Sequence, residues 1–239
     1  MVELERDGDV AVITIDRPHA RNAIGPATMD QLDKAIDAAA GALALVVKGA
    51  GDRAFVSGGD LKELAAIRTE DEAVAMALRM RGVCDRLASF PAPVIAALNG
   101  HALGGGAEVA VAADIRVAAD DIRIGFTQVK LAIMPAWGGA ERLAALVGKG
   151  RALLLAGSGT VLGAAEAERV GLVDRVVPRA CFETEWRSLA RSLANGPARE
   201  IKRLAAGGVA PDEAARAFAR LWVADAHWAA AERMMNGDK

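Results

Sequence analysis

Residues 94–118 constrain this chain more than any other stretch. They read as a strand (Val94–Leu98), a glycine-rich turn, a helix (105–113) and a second strand (115–118). The helix carries Ala107, Val109, Ala110, Val111, Ala112 and Ala113 around its whole circumference. A helix with no polar face cannot lie on a surface and has to be enclosed between layers. The same alternation runs upstream. Val10–Ile15 and 44–48 are apolar runs closed by Asp16-Arg17-Pro18 and Gly49-Ala50-Gly51-Asp52. Between them, 26–40 sets Met29, Leu32, Ile36 and Ala39 at helical spacing behind a Gly-Pro start. Residues 66–90 read as a further helix. Serial strand-helix-strand units predict an α/β fold, crossover or stacked ββα. After Val177-Pro178 the strand signals stop, and 182–195, 198–206 and 211–235 read as helices.

Composition narrows the class. Of 239 residues, 53% are apolar but only 4% aromatic, with no tyrosine, so the core is expected to be Ala, Val, Leu and Ile. The net charge is -2, and no Lys/Arg block occurs, which argues against a nucleic-acid partner. The charged start, Met1 to Asp7, and the lack of any apolar run of membrane length predict a cytoplasmic protein without a membrane partner. Cys84 and Cys181 stand alone, without CxxC or histidine at ligand spacing; no metal site is expected, and both read as small buried apolar residues.

Several motifs can be set aside. Gly157-Ser158-Gly159 to Gly163 resembles a dinucleotide fingerprint but follows a helix-like run instead of a strand, and so reads as a turn between helices. His19, His101 and His227 lie outside any hydrolase motif. Two glycine clusters remain. In 54–62 a strand turns at Gly58-Gly59 into a helix, and in 99–108 Gly104-Gly105-Gly106 opens a helix directly after a strand. Glycine lets a ligand approach the main chain, and free N–H groups at a helix start attract developing negative charge. Glu108 sits on the all-apolar helix, where no solvated side exists. Its burial raises its pKa and makes it an acid or base near neutral pH, unless a neighbouring arginine or amide merely satisfies it.

In order, Asp16-Arg17-Pro18-His19-Ala20-Arg21-Asn22-Ala23-Ile24, then 54–62, 99–108 and Pro135-Ala136-Trp137-Gly138-Gly139-Ala140-Glu141-Arg142-Leu143 resemble the crotonase superfamily of enoyl-CoA hydratases and isomerases. The resemblance implies a spiral of stacked ββα units over 1–182 and a helical trimerisation region over 183–239. It implies an acyl-CoA thioester substrate, with coenzyme A part of that substrate and no separate cofactor, and a trimer or a dimer of trimers. It places an oxyanion hole at the main-chain N–H groups of Gly59 and Gly105 and a catalytic glutamate at Glu108. Substrate contacts are implied at Ser57, Asp60, Leu61 and Lys62 and at Arg17, His19, Ala20 and Arg21.

Gln128 departs from that pattern. Counting back seven residues from Pro135, where the hydratases carry a second glutamate, lands on an amide that cannot exchange a proton. One reading is a hydratase-type lyase working through a thioester enolate with Glu108 alone. A second is decarboxylation of methyl- or ethylmalonyl-CoA, since Ser57 to Leu61, 103–108 and 135–139 locally resemble the ethylmalonyl-CoA decarboxylase branch. There Gln128 would bond a substrate carboxylate and Trp137 would wall off water. A third is a non-catalytic acyl-CoA binding protein. An oligomer is expected from a final helix with Ala217, Leu221, Ala224, Trp228, Ala231 and Met235 on one face.

Overall fold

The computed structural model describes residues 1–237, so the last two residues of the expected helical region lie outside the described residues. The chain forms two compact units, Met1–Ala194 and a smaller one from Asn195 onward. The first unit begins with β1 (Val2–Asp7), β2 (Val10–Ile15), α1 (Pro26–Ala38), β3 (Ala44–Gly49), β4 (Ala54–Val56) and α2 (Glu70–Ala88). It continues through β5 (Val94–Leu98), β6 (His101–Leu103), α3 (Gly105–Ala112), β7 (Ile115–Ala119), β8 (Arg123–Gly125), α4 (Gly139–Val147) and α5 (Lys149–Ser158). It closes with β9 (Val161–Gly163), α6 (Ala164–Arg169), β10 (Arg175–Val177) and α7 (Phe182–Leu193).

From β3 to β8 successive strands alternate between two sheets. The larger runs β1-β2-β3-β5-β7-β10 and the smaller β4-β6-β8-β9. Thus β3-β4-α2, β5-β6-α3 and β7-β8-α4 are three turns of one ββα spiral, the α/β arrangement expected from the sequence. All pairings in the larger sheet after β1/β2 are parallel, and β5 is buried along its whole length, as a strand covered on both faces must be. Every residue of α3 is buried, Glu108 included. Two buried amides tie the turns together. Asn22 donates to the carbonyls of Ala50 and Ala54, while Asn99 accepts from the N–H of Gly49 and donates to Gly51.

The structure corrects several sequence readings. Strand β1 was hidden because Val2 and Leu4 alternate with Glu3 and Glu5 along a sheet edge with only one covered face. The helix read over 66–90 is a short 3-10 turn (Leu64–Ala66) followed by α2, which starts at a Thr69/Glu72 capping box. That 3-10 turn also replaces the helix expected directly after Gly59. Gly159 ends α5 in the left-handed region and leads into β9, so the 157–163 stretch joins a helix to a strand. Cys84 is buried, its thiol pushed up to about 12 mainly by burial, but Cys181 is exposed.

The first unit extends past residue 182. Phe182, Trp186 and Ala190 of α7 are buried in its core, so the chain divides after Ala194. The second unit holds α8 (Gly196–Ala205), α9 (Pro211–Trp222) and α10 (Asp225–Met235). The helix read over 211–235 is therefore two, interrupted at Val223-Ala224 without a glycine or proline to mark the break. Among the described residues no helix is long and apolar enough to cross a membrane.

Candidate active site

The smaller sheet positions the site. Strands β4, β6 and β8 run parallel, and their carboxyl ends release Ser57-Gly58-Gly59, Gly104-Gly105 and Thr127-Gln128 at the same edge. In open α/β sheets that edge is where ligands collect. All seven residues line one cavity of about 250 Å3. Glu108 and Trp137 border it too, and the rest of its wall is apolar: Leu61, Leu64, Met76, Leu131, Ile133, Met134 and Ala136. The two glycine clusters read as separate motifs therefore meet here, since a Cβ added to Gly58 would stand 3.3 Å from the nitrogen of Gly105. Among the described residues, neither the N–H of Gly59 nor that of Gly105 has a protein acceptor. Gly105 is the first residue of α3, where the helix dipole adds to the pull on negative charge.

Glu108, one turn into α3, is 2% exposed. Its Oε1 accepts from Nε2 of Gln128 at 2.8 Å, and its Oε2 accepts from the N–H groups of Trp137 at 2.7 Å and Gly139 at 3.0 Å. Burial pushes this carboxyl above the ordinary range, and the three donors oppose that shift without cancelling it. Position 139 has to be glycine, because a Cβ there would come within 2.3 Å of the Glu108 side chain. Gln128 is also buried, and with Nε2 committed to Glu108 its Oε1 is left without a protein partner. A buried acceptor without a partner is rare and calls for a ligand or water to complete it.

Trp137 forms the wall between the two N–H donors. The benzo edge of its indole packs on Gly105, whose added Cβ would lie 2.1 Å from Cζ3, and a Cβ added to Gly59 would lie 3.9 Å from Cζ2. Its main chain is held by Arg142, which donates to the Trp137 carbonyl and pairs with Asp85. The other acids near the motif are engaged elsewhere: Glu141 pairs with Arg81, and Asp121 with Arg179.

Of the remaining predicted contact residues, Leu61 lines this cavity and Arg21 a neighbouring one, whereas Arg17, His19, Ala20, Asp60 and Lys62 line neither. Arg17 pairs with Asp60 and Glu63 and donates to the Ala23 carbonyl, so it clamps the 17–23 turn to the loop after Gly59. Against the upward push of burial, the Glu63 N–H, the Arg17 guanidinium and the Lys62 N–H together hold the Asp60 carboxyl below its usual range. His19 and Lys62 are exposed, Ala20 is half-buried, and Leu61 is exposed at the mouth. Arg21 lines a second, polar cavity of about 330 Å3 that meets the first at Ser57. Arg53, His101 and Arg179 also border it; His101 falls within the 99–108 motif without being expected at a site, and nothing in the sequence pointed to the two arginines. Among the described residues the guanidinium groups of Arg21 and Arg53 have no protein partner, and no cluster of His, Cys, Asp or Glu could hold a metal ion.

A family model for enoyl-CoA hydratase/isomerase matches residues 5–220. The short-chain-enoyl-CoA hydratase of Clostridium acetobutylicum is 40% identical over 197 residues, which is 81% of this chain and 74% of that protein. The crotonyl-CoA hydratase of Syntrophomonas wolfei is 38% identical over 177 residues, 73% of this chain and 68% of that protein. The crystal structure of enoyl-CoA hydratase from Bacillus anthracis superposes with a TM-score of 0.83 at 33% identity, covering 92% of this chain and 89% of that one.

Proposed function

The chain belongs to the enoyl-CoA hydratase/isomerase family, and we propose that it adds water across the double bond of 2-enoyl-CoA thioesters with Glu108 as its one acid/base. The observation that carries this reading is the convergence of four groups on one otherwise apolar cavity: the Gly59 and Gly105 N–H groups, Glu108 and Gln128. The thioester oxygen sits between the two N–H donors, each worth about 3 to 4 kcal/mol of barrier as the enolate forms. Glu108 takes a proton from water, the hydroxyl attacks the β-carbon, and the same carboxyl returns the proton to the α-carbon. Gln128 fixes Glu108 through Nε2 and offers Oε1 to the attacking water. Arg21 and Arg53 take the phosphates of coenzyme A in the adjoining polar cavity.

The geometry favours water addition over decarboxylation. A substrate carboxylate at Gln128 would have to be held by its amide hydrogens, but Nε2 already spends one of its two on Glu108 and the unpartnered Oε1 repels an anion. The names of the Clostridium and Syntrophomonas relatives support the same choice. The second unit supports a homotrimer: Phe218, Trp222 and Trp228 form a half-exposed cluster with ring centroids 5.5 to 5.6 Å apart, flanked by exposed Val223, Met234 and Met235. The test is a mass-spectrometric screen of the purified protein against crotonyl-, 3-enoyl-, methylmalonyl- and ethylmalonyl-CoA. Conversion of crotonyl-CoA to a product heavier by one water is the expected result. Loss of carbon dioxide from an alkylmalonyl-CoA with no hydration overturns the reading, and no turnover of any substrate leaves a binding protein.

A further inference from the structure

A third cavity, of about 270 Å3, lies between the start of α1 and the first half of α2, lined by Pro26, Met29, Ile67, Ala75 and Met76 with Glu72 and Arg79 at its rim. Met76 is the one residue common to its lining and that of the acyl cavity. Both rim charges are already satisfied. The Glu72 carboxylate accepts from the N–H groups of Arg68 and Thr69, and Arg79 pairs with Asp30. The surface offered to a ligand is therefore apolar, an unbranched thioether standing between two apolar spaces. Methionine has three rotatable bonds and yields to irregular neighbours more easily than a branched or aromatic side chain. The groove side of this helix is open: along Glu70–Arg79 no residue is buried, and the first buried side chain is Met80.

Resting on the reading of the first cavity as the acyl site, we propose that this groove takes the distal carbons of medium-length acyl chains and that Met76 sets how far a chain can pass. An acyl chain enters from the polar side, is fixed by its thioester at Gly59 and Gly105, and runs along the apolar wall past Met76. Chains that end before Met76 are indifferent to the groove. Each methylene that goes beyond it leaves water for an apolar lining and is worth up to about fourfold in affinity.

The experiment compares wild type with Met76→Ala, Met76→Trp and Ala75→Phe; Ala75 borders the groove but not the acyl cavity, and it is exposed, so bulk there tests the groove without entering the core. Binding of the unreactive butyryl-, octanoyl- and decanoyl-CoA is measured by calorimetry, and kcat/KM is measured for the matching 2-enoyl thioesters. Met76→Ala should raise the octanoyl-to-butyryl affinity ratio, and Met76→Trp and Ala75→Phe should lower it by about tenfold or more, with the kcat/KM ratios moving in parallel. A ratio that stays within twofold of wild type in all three variants overturns the groove. If the variants shift the binding ratios but crotonyl-CoA is not hydrated, the groove stands and the proposed reaction falls. If no acyl-CoA binds, both fall.

Discussion

Replacing Gln128 by glutamate probes the reasoning at its most exposed point. The Gln128 amide nitrogen lies 2.8 Å from Glu108 Oε1, and both residues are buried. Glutamate has nearly the same shape, so Gln128→Glu sets a second carboxylate oxygen at about that separation. Two unit charges 2.8 Å apart repel by about 6 kcal/mol at an effective dielectric of about 20, or about four pKa units. They cannot both ionise near neutral pH. The pair holds one proton and titrates as a unit, with one macroscopic pKa raised well above the ordinary carboxyl range. One carboxylate can then take a proton from water while its partner delivers one to the α-carbon. A positioned acid or base contributes about 10² to 10⁴ in rate, so crotonyl-CoA hydration should rise by about a hundredfold or more. The shape of the pH profile should change as well. Wild-type activity should rise along one limb as Glu108 deprotonates, a limb displaced upward by burial; the variant should give a bell whose alkaline limb marks loss of the shared proton. Because that pKa is raised in the folded state, its contribution to stability is present at low pH and lost as pH rises through it. The melting temperature of the variant should therefore fall below wild type increasingly toward alkaline pH. The assay follows loss of the enoyl absorbance across the neutral range, alongside thermal melts at the same pH values. Unchanged rate, unchanged profile and unchanged melting behaviour would falsify the placement of residue 128 at the reacting centre.

Gly105→Pro removes the second N–H donor and drives ring atoms toward Trp137; kcat for crotonyl-CoA should drop by about 10² to 10³, and near-normal turnover with intact circular dichroism would dismiss the oxyanion role. Glu108→Gln should lower the rate by about 10² to 10⁴ yet keep its fold, because the new amide oxygen can accept from Trp137 and Gly139 and, once the Gln128 amide turns over to present Oε1 in place of Nε2, the new nitrogen donates to that oxygen. The raised wild-type pKa of Glu108 means stability lost as pH rises through it, so this variant should melt at or above wild type at neutral pH; a lower melting temperature there contradicts the burial argument. Light scattering should show an oligomer, most simply a trimer, and a particle near 24.7 kDa at micromolar concentration refutes it.

What could be read in advance follows from which forces are local. The strands β2, β3 and β5 and the helix α1 declare themselves because apolar periodicity is a property of neighbours in sequence. Glu108 was legible for the same reason: on a helix with no polar face, a carboxylate has to be held by tertiary partners. The partners themselves were not legible. That Trp137 and Gly139 present main-chain donors to Oε2, that the indole lies on Gly105, and that Arg17 is consumed by Asp60 and Glu63 all depend on segments 29 to 46 residues apart meeting at a sheet edge. Arg53 sits between motifs with nothing local to mark it, and its cavity is shared with Arg21 because the Asn22 amide donates to the Ala54 carbonyl and the Ser57 N–H donates to the Arg21 carbonyl. The end of the chain misled for the opposite reason. Helical periodicity continues unbroken through Val223-Ala224, and the break there brings Trp222 into a tilted contact with His227 and an edge-on contact with Trp228 that no local pattern announces.

One segment couples the two halves of the chemistry. The loop that supplies the Trp137 and Gly139 N–H groups to Glu108 also lays the Trp137 ring on Gly105 and close to Gly59. The orientation of the proposed acid/base and the spacing of the proposed oxyanion donors are thus set by the same few atoms, themselves held by the Arg142 bond to the Trp137 carbonyl. This accounts for a buried carboxylate bonded by three donors and still raised in pKa. The donors fix its direction and only partly offset the loss of water around it. A carboxyl surrounded by water would stay ionised and be a weak base; one buried without donors would stay protonated and poorly aimed. Glu108 lies between these limits, which is where a single residue has to be if it is both to take a proton from water and to give it back to carbon.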